Sequence, residues 1–246
     1  MASTYRALDP VRVIDTIGIL HRRIAERFPG AGLASVCAEL LTLAGESSAR
    51  AENIARRNLP LRTAIVALVA GGVGGLVWIA LVFLVSVSAT ADNVYSVLQG
   101  IEAAANLAVL IGATIFFLTR VEERLKRRSA LKALHELRSI VHVIDMHQLT
   151  KDPSSVISVG EKTPSSPART MSRFELTRYL DYCSEMLSLA AKVAVLFAQK
   201  FPEPAVTEAV SDIERIAAGL SQKIWQKIII LEALGPEGPE AVASAQ

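Results

Sequence analysis

Two long apolar segments dominate the hydropathy pattern of the chain. Thr63 to Val85 carries no charged residue, and Leu98 to Thr119 carries only Glu102. Each supplies the roughly 20 apolar residues that a helix needs to cross a bilayer. Neither alternates polar and apolar faces as a helix of a soluble protein does. In hydrocarbon every backbone amide needs an internal partner, and two segments too short to close a barrel obtain it only as helices. The pattern predicts a two-span transmembrane helical hairpin over 61–119.

On both sides the period changes to that of amphipathic helices. Val13, Ile14, Ile17, Leu20, Ile24 and Phe28 form one helical stripe. Asp9-Pro10 opens it as an N-cap followed by proline at the first helical position, with Leu8 and Val13 spaced as a hydrophobic staple. Pro29-Gly30 breaks it, and Leu33, Val36, Cys37, Leu40, Leu41 and Ala44 make the inner face of a second helix. Residues 1–60 therefore read as an N-terminal helical hairpin.

The far end repeats this plan over 172–233. Ser172 and Glu175 form an S-x-x-E capping box, with Met171 and Leu176 as its staple. Pro202-Glu203-Pro204 makes the turn, and Val206, Val210, Ile213, Ile216, Leu220, Ile224 and Ile228 stripe the next helix. A shift of 173 positions sets Phe28-Pro29 on Phe201-Pro202, and Ile14, Leu20 and Ile24 on Leu187, Val193 and Phe197. The expected fold is all-α: the membrane hairpin, with cytoplasmic helical hairpins at both ends that pack as one bundle.

Residues 120–151 continue the second span as a cytoplasmic stalk helix, with Ala130, Leu131, Leu134, Leu137, Val141, Ile144 and Gln148 on one side. Glu122/Lys126 and Glu123/Arg127 are i,i+4 pairs on its basic part, which the lipid headgroups would attract. Asp152-Pro153 stops the helix. The Ser/Pro-rich stretch 152–171 and the tail 234–246 are expected to be disordered. Thr163-Pro164 and Ser166-Pro167 offer modification sites, but the simpler reading of that stretch is a spacer.

Charge then sets the orientation. Ten Lys and Arg residues flank the spans at their far ends (Arg50, Arg56, Arg57, Arg62, Arg120, Arg124, Lys126, Arg127, Arg128 and Lys132), and the connection between the spans has none. By the positive-inside rule both termini lie in the cytoplasm. The net charge of +2 leaves no basic surface beyond the membrane flanks, which argues against a nucleic-acid partner. Cys37 and Cys183 fall in cytoplasmic helices, where reducing conditions argue against a disulfide. No cleavable signal is visible ahead of the first span, which should act as an uncleaved anchor.

Three groups invite a functional reading. His135, Arg138, His142 and Asp145 cluster within about 80° of the stalk circumference. They suggest a pH-sensitive switch or half of a metal site, with a structural polar network as the favoured reading. His147 points about 140° away from His142, so the stalk histidines do not converge on one ion. Gln99, Glu102 and Asn106 form a polar stripe on the second span, suited to hydrogen bonding with a neighbouring helix. Ala67, Gly71 and Gly75 give two small-xxx-small steps on the first, suited to close helix approach. The glycine run lacks the Lys-Ser/Thr of a nucleotide loop.

Neither a nucleophile with its base nor paired carboxylates in an evident cleft occurs, so no enzyme, cofactor or metal is expected. The layout resembles two-span bacterial effector modules thought to perforate membranes, although no motif of theirs is matched and no residue roles carry over. The expected function is a non-enzymatic two-pass protein of a bacterial plasma membrane, self-associating as a scaffold or pore-like assembly. Its expected partners are the lipid bilayer and further copies of itself. The alternative is a membrane-anchored signalling or regulatory protein whose cytoplasmic bundle binds a protein partner.

Overall fold

Asp9 decides where the first helix begins. Its carboxylate accepts from the Val11 N–H at 2.9 Å, satisfying a donor that the first helical turn leaves without a carbonyl. Helix α1 then runs Pro10–Arg27 and closes at Phe28, whose N–H donates to the Ile24 carbonyl at 2.8 Å. Gly30, with φ of 75°, turns the chain through the left-handed region that disfavours side chains, and α2 follows over Gly32–Ala55.

The computed structural model describes residues 7–55, 59–89, 94–153 and 171–233, and among these it is all-helical, with six helices and no strand. The remaining helices are α3 (Leu59–Ala89), α4 (Val94–Leu149), α5 (Arg173–Lys200) and α6 (Pro204–Ala233). The capping box of α5 forms in both directions. The Ser172 Oγ accepts from the Glu175 N–H at 3.2 Å, and the Glu175 carboxylate accepts from the Ser172 N–H at 2.8 Å. Most of the proposed spacer and the whole tail lie outside the described residues, Thr163 and Ser166 among them.

The chain divides into two units, the larger made of Met1–Ala55 and Ser129–Gln246 and the smaller of Arg56–Arg128. In the larger, α1 and α2 pack on each other and both pack on α5, which pairs with α6. The two terminal hairpins therefore share one core. Phe28 sets its ring edge-on to Tyr179 at 5.5 Å, and Arg23 reaches Glu185 at 2.9 Å, so both apolar and ionic contacts join α1 to α5.

The shift of 173 positions maps core onto core. Buried Val13, Ile17, Leu20 and Ile24 fall on buried Met186, Ala190, Val193 and Phe197, while Leu33, Cys37, Leu40 and Ala44 fall on Val206, Val210, Ile213 and Ala217. The two hairpins bury the same helical register about the same turn.

The sequence pattern predicts a stalk over 120–151, and from Ala130 onward the structure differs. Leu134, Leu137 and Ile144 are buried in the common core, so 129–149 is a helix of the bundle. The cause is the width of its apolar face, since Ala133 and Ile140 are buried beside the residues of the original stripe. Arg50 fixes α2 to this helix by donating to Glu136 at 2.7 Å while also holding Glu46 at 2.8 Å.

The smaller unit consists of α3 and the first part of α4, two helices long and apolar enough to cross a membrane. Among its described residues no side chain is buried, and large apolar groups such as Val66, Trp78, Ile101, Val109 and Phe117 stand outward. Such a surface in water would oppose folding, whereas hydrocarbon accepts it. The helices approach closely at Gly72, where an added Cβ would collide with the Ile111 side chain. Further along α4, the expected Glu122–Lys126 pair is made at 2.8 Å.

Candidate functional site

The inward stripe of α4 decides where its polar residues stand. His135, Arg138 and His142 are exposed and Asp145 is half-buried. His135 and Arg138 border a cleft of about 170 Å³ with Ala209, Asp212 and Ile213 of α6, where Asp212 holds Arg215 at 2.8 Å. Asp145 does not turn to His142, because its carboxylate accepts from Gln148 Nε2 at 2.6 Å. His142 makes no hydrogen bond or ion pair among the described residues. The four share a helix face, but the structure does not join them into one network.

The polar network of α4 lies one turn further on. Gln148 is 2% exposed, and Lys227 of α6 donates to its Oε1 at 2.7 Å and to its backbone carbonyl at 3.0 Å. The same ammonium reaches the Lys151 carbonyl at 3.4 Å. Carbonyls at a helix C-terminus have no intrahelical donor, so a cation from a neighbouring helix both caps them and offsets the helix dipole. Burial lowers the Lys227 pKa below its ordinary value, against the opposing pull of Asp152 and Asp145.

His147 also meets neighbours from two helices. Its Nδ1 lies 3.4 Å from the Tyr179 hydroxyl, and its ring edge fills the space that a side chain at Gly32 would need, 2.9 Å from an ideal Cβ. Burial raises the Tyr179 pKa, as it does for the Cys37 and Cys183 thiols, each pushed up to about 12. Both thiols are fully buried, which makes them inert core groups. Among the described residues no three His, Cys, Asp or Glu side chains gather where they could hold a metal ion.

No protein-family model matches this chain, and neither a curated protein nor a solved structure shows significant similarity to it.

On the membrane-type helices, Gln99, Glu102 and Asn106 are all exposed. Gly71 and Gly75 have open space where a Cβ would stand, so the close approach inside the hairpin belongs to Gly72, one residue off the Ala67/Gly71/Gly75 line. The sequence pattern singles out neither Lys227 nor Tyr179, and it marks His147 only as pointing away from His142. For Lys227 a signal existed, since it lies between Ile224, Ile228 and Leu231 on the edge of the buried face of α6. A lysine there must be covered by a neighbour or extend its head to water.

Proposed function

We propose that the protein is a non-enzymatic two-pass integral membrane protein whose hairpins self-associate into a scaffold or pore-like assembly, with the helical bundle and both termini on the cytoplasmic side of a bacterial plasma membrane. The observation that carries this reading is the outward placement of Gln99, Glu102 and Asn106 on α4. An amide facing lipid pays for desolvation, and a neighbouring helix that hydrogen-bonds it removes much of that cost. Gly71 adds a second outward surface on which another helix could approach closely. The orientation rests on the ten basic residues at the far ends of the spans against none in the connection between them.

The test is oligomeric state in detergent combined with ion flux in liposomes. A stable oligomer is expected, and Gly71→Ile should weaken it without disturbing the hairpin, because among the described residues nothing lies within 4 Å of a Cβ at that position. A monomer that conducts no ions would overturn the reading.

A further inference from the structure

The last turns of α1 and the first turns of α5 enclose an open groove of about 770 Å³ within the larger unit. Arg23, Arg27, Arg178, Phe174, Tyr182 and Glu26 are among the residues that line it. Its guanidinium groups lie over rings: the Arg23 and Arg178 Cζ atoms are 5.2 and 5.8 Å from the Tyr182 centroid, and that of Arg27 is 5.3 Å from the centroid of Phe174. A ring face within about 6 Å attracts a guanidinium and leaves its N–H donors available to a further partner. Arg23 spends donors on Glu185 and Arg178 on Asp181, each at 2.9 Å. Arg27 makes no ion pair among the described residues, and its charge acts at longer range on the Glu175 carboxyl of the same groove. Phe174 is 60% exposed, an unusual position for a phenylalanine on a bundle whose other phenylalanines, Phe28 and Phe197, are buried, with Phe201 partly so.

We propose that this groove docks an acidic peptide segment of a partner protein, with a carboxylate on Arg27, further carboxylates on the free edges of Arg23 and Arg178, and an apolar side chain against Phe174. Arginine clusters recognise acidic motifs in this way. The identity of the groove's own acids selects a peptide. Glu26 and Glu175 line it too, so a compact dianion or a uniformly anionic bilayer meets repulsion beside the arginines. A peptide can space its carboxylates to avoid those two positions. The lining is too charged to suit an apolar small molecule. None of these residues belongs to the membrane-type helices, so docking here is independent of hairpin self-association.

The test uses the full chain in detergent. The probe is a fluorescein-labelled nonapeptide that alternates glutamate with leucine and carries one central tryptophan, compared by anisotropy with its lysine-for-glutamate counterpart. Saturable binding of the acidic probe alone is expected, weaker at high salt. Arg27→Gln should weaken it about tenfold or more, and Phe174→Ala several-fold, while Arg215→Gln outside the groove leaves it unchanged. Circular dichroism of each variant separates lost docking from lost fold. Failure to bind the acidic probe, equal binding of both probes, or binding indifferent to Arg27→Gln and Phe174→Ala would each overturn the proposal. So would equal binding of inorganic phosphate or of phosphatidylglycerol vesicles with the same variant dependence, which would assign the groove to those anions.

Discussion

Phe28 and Phe201 occupy equivalent helix ends. Each is the C-cap of the first helix of its hairpin, with backbone angles of −126° and 67° at Phe28 and −142° and 81° at Phe201, and each donates its N–H to the carbonyl four residues back at 2.8 Å. Their side chains have different surroundings. Phe28 is 8% exposed and meets both Tyr179 and Tyr182 edge-on, whereas Phe201 is only partly buried. Phe28→Ala should therefore cost about 3–5 kcal/mol and Phe201→Ala clearly less. Denaturant melts of the two variants check this, and equal losses would show that the shared cap, rather than the ring contacts, carries the stability.

Lys227 joins α6 to the end of α4 through three acceptors, Gln148 Oε1 and the Gln148 and Lys151 carbonyls. Lys227→Met keeps much of the side-chain stem but leaves these acceptors without their donor. The expected cost is about 1–3 kcal/mol. Because burial depresses the Lys227 pKa, the unfolded chain holds that proton more tightly, and stability should rise with pH in the window just below the ordinary value of 10.5. The rise should be absent in Lys227→Met, measured as melting temperature against pH.

The distribution of these residues shows what the sequence makes legible. The stripes of α1 and α6 were readable because one face of a helix is a local property, and Val13, Ile17, Leu20 and Ile24 are buried as their spacing requires. The caps were readable for the same reason: Asp9 meets Val11 and Ser172 meets Glu175, each partner within three residues. The polar cluster on α4 was not. His142 and Asp145 are one turn apart, but a partner 79 positions away, Lys227, holds the Gln148 side chain whose amide takes Asp145. Which histidine meets a neighbour depends on where α2 and α5 pass, and His147 meets them because Gly32 leaves room for its ring. Helical periodicity carries no record of that crossing.

Ser47 is fully buried on α2, and its Oγ has no hydrogen-bond partner among the described residues. The shift of 173 positions places it on Leu220, a core leucine of α6. A buried hydroxyl without a partner opposes folding by its desolvation cost. Ser47→Ala should raise stability by about 1 kcal/mol. A fall in melting temperature would show that the hydroxyl has a partner, such as an internal water.

Hydrogen bonds from Ser172, first from its backbone N–H and then from its side chain, hold the Glu175 carboxyl below its usual value of 4.5. A depressed carboxyl stabilises the fold above its unfolded pKa and loses that contribution as pH falls through the folded one. The stability difference between the wild type and Glu175→Ala should be full above about pH 4.5 and should vanish on further acidification. Amide exchange in the first turn of α5 should follow the same course, and a difference independent of pH would show that the carboxylate charge plays no part.

The proposed orientation can be read by thiol labelling, because the native cysteines are silent. Cys37 and Cys183 are both fully buried, and burial pushes each thiol up to about 12, so neither access nor thiolate is present at neutral pH. Folded wild-type protein in intact cells or sealed vesicles should take up no maleimide until denatured. Against that background a single new cysteine reports its own side of the membrane. Ala91→Cys, in the connection between the spans, should react with an impermeant reagent from outside, and Ser3→Cys should react only after permeabilisation. The reverse pattern would overturn the orientation inferred from the basic flanks. Labelling of Cys37 or Cys183 without denaturant would instead show that the bundle opens under native conditions.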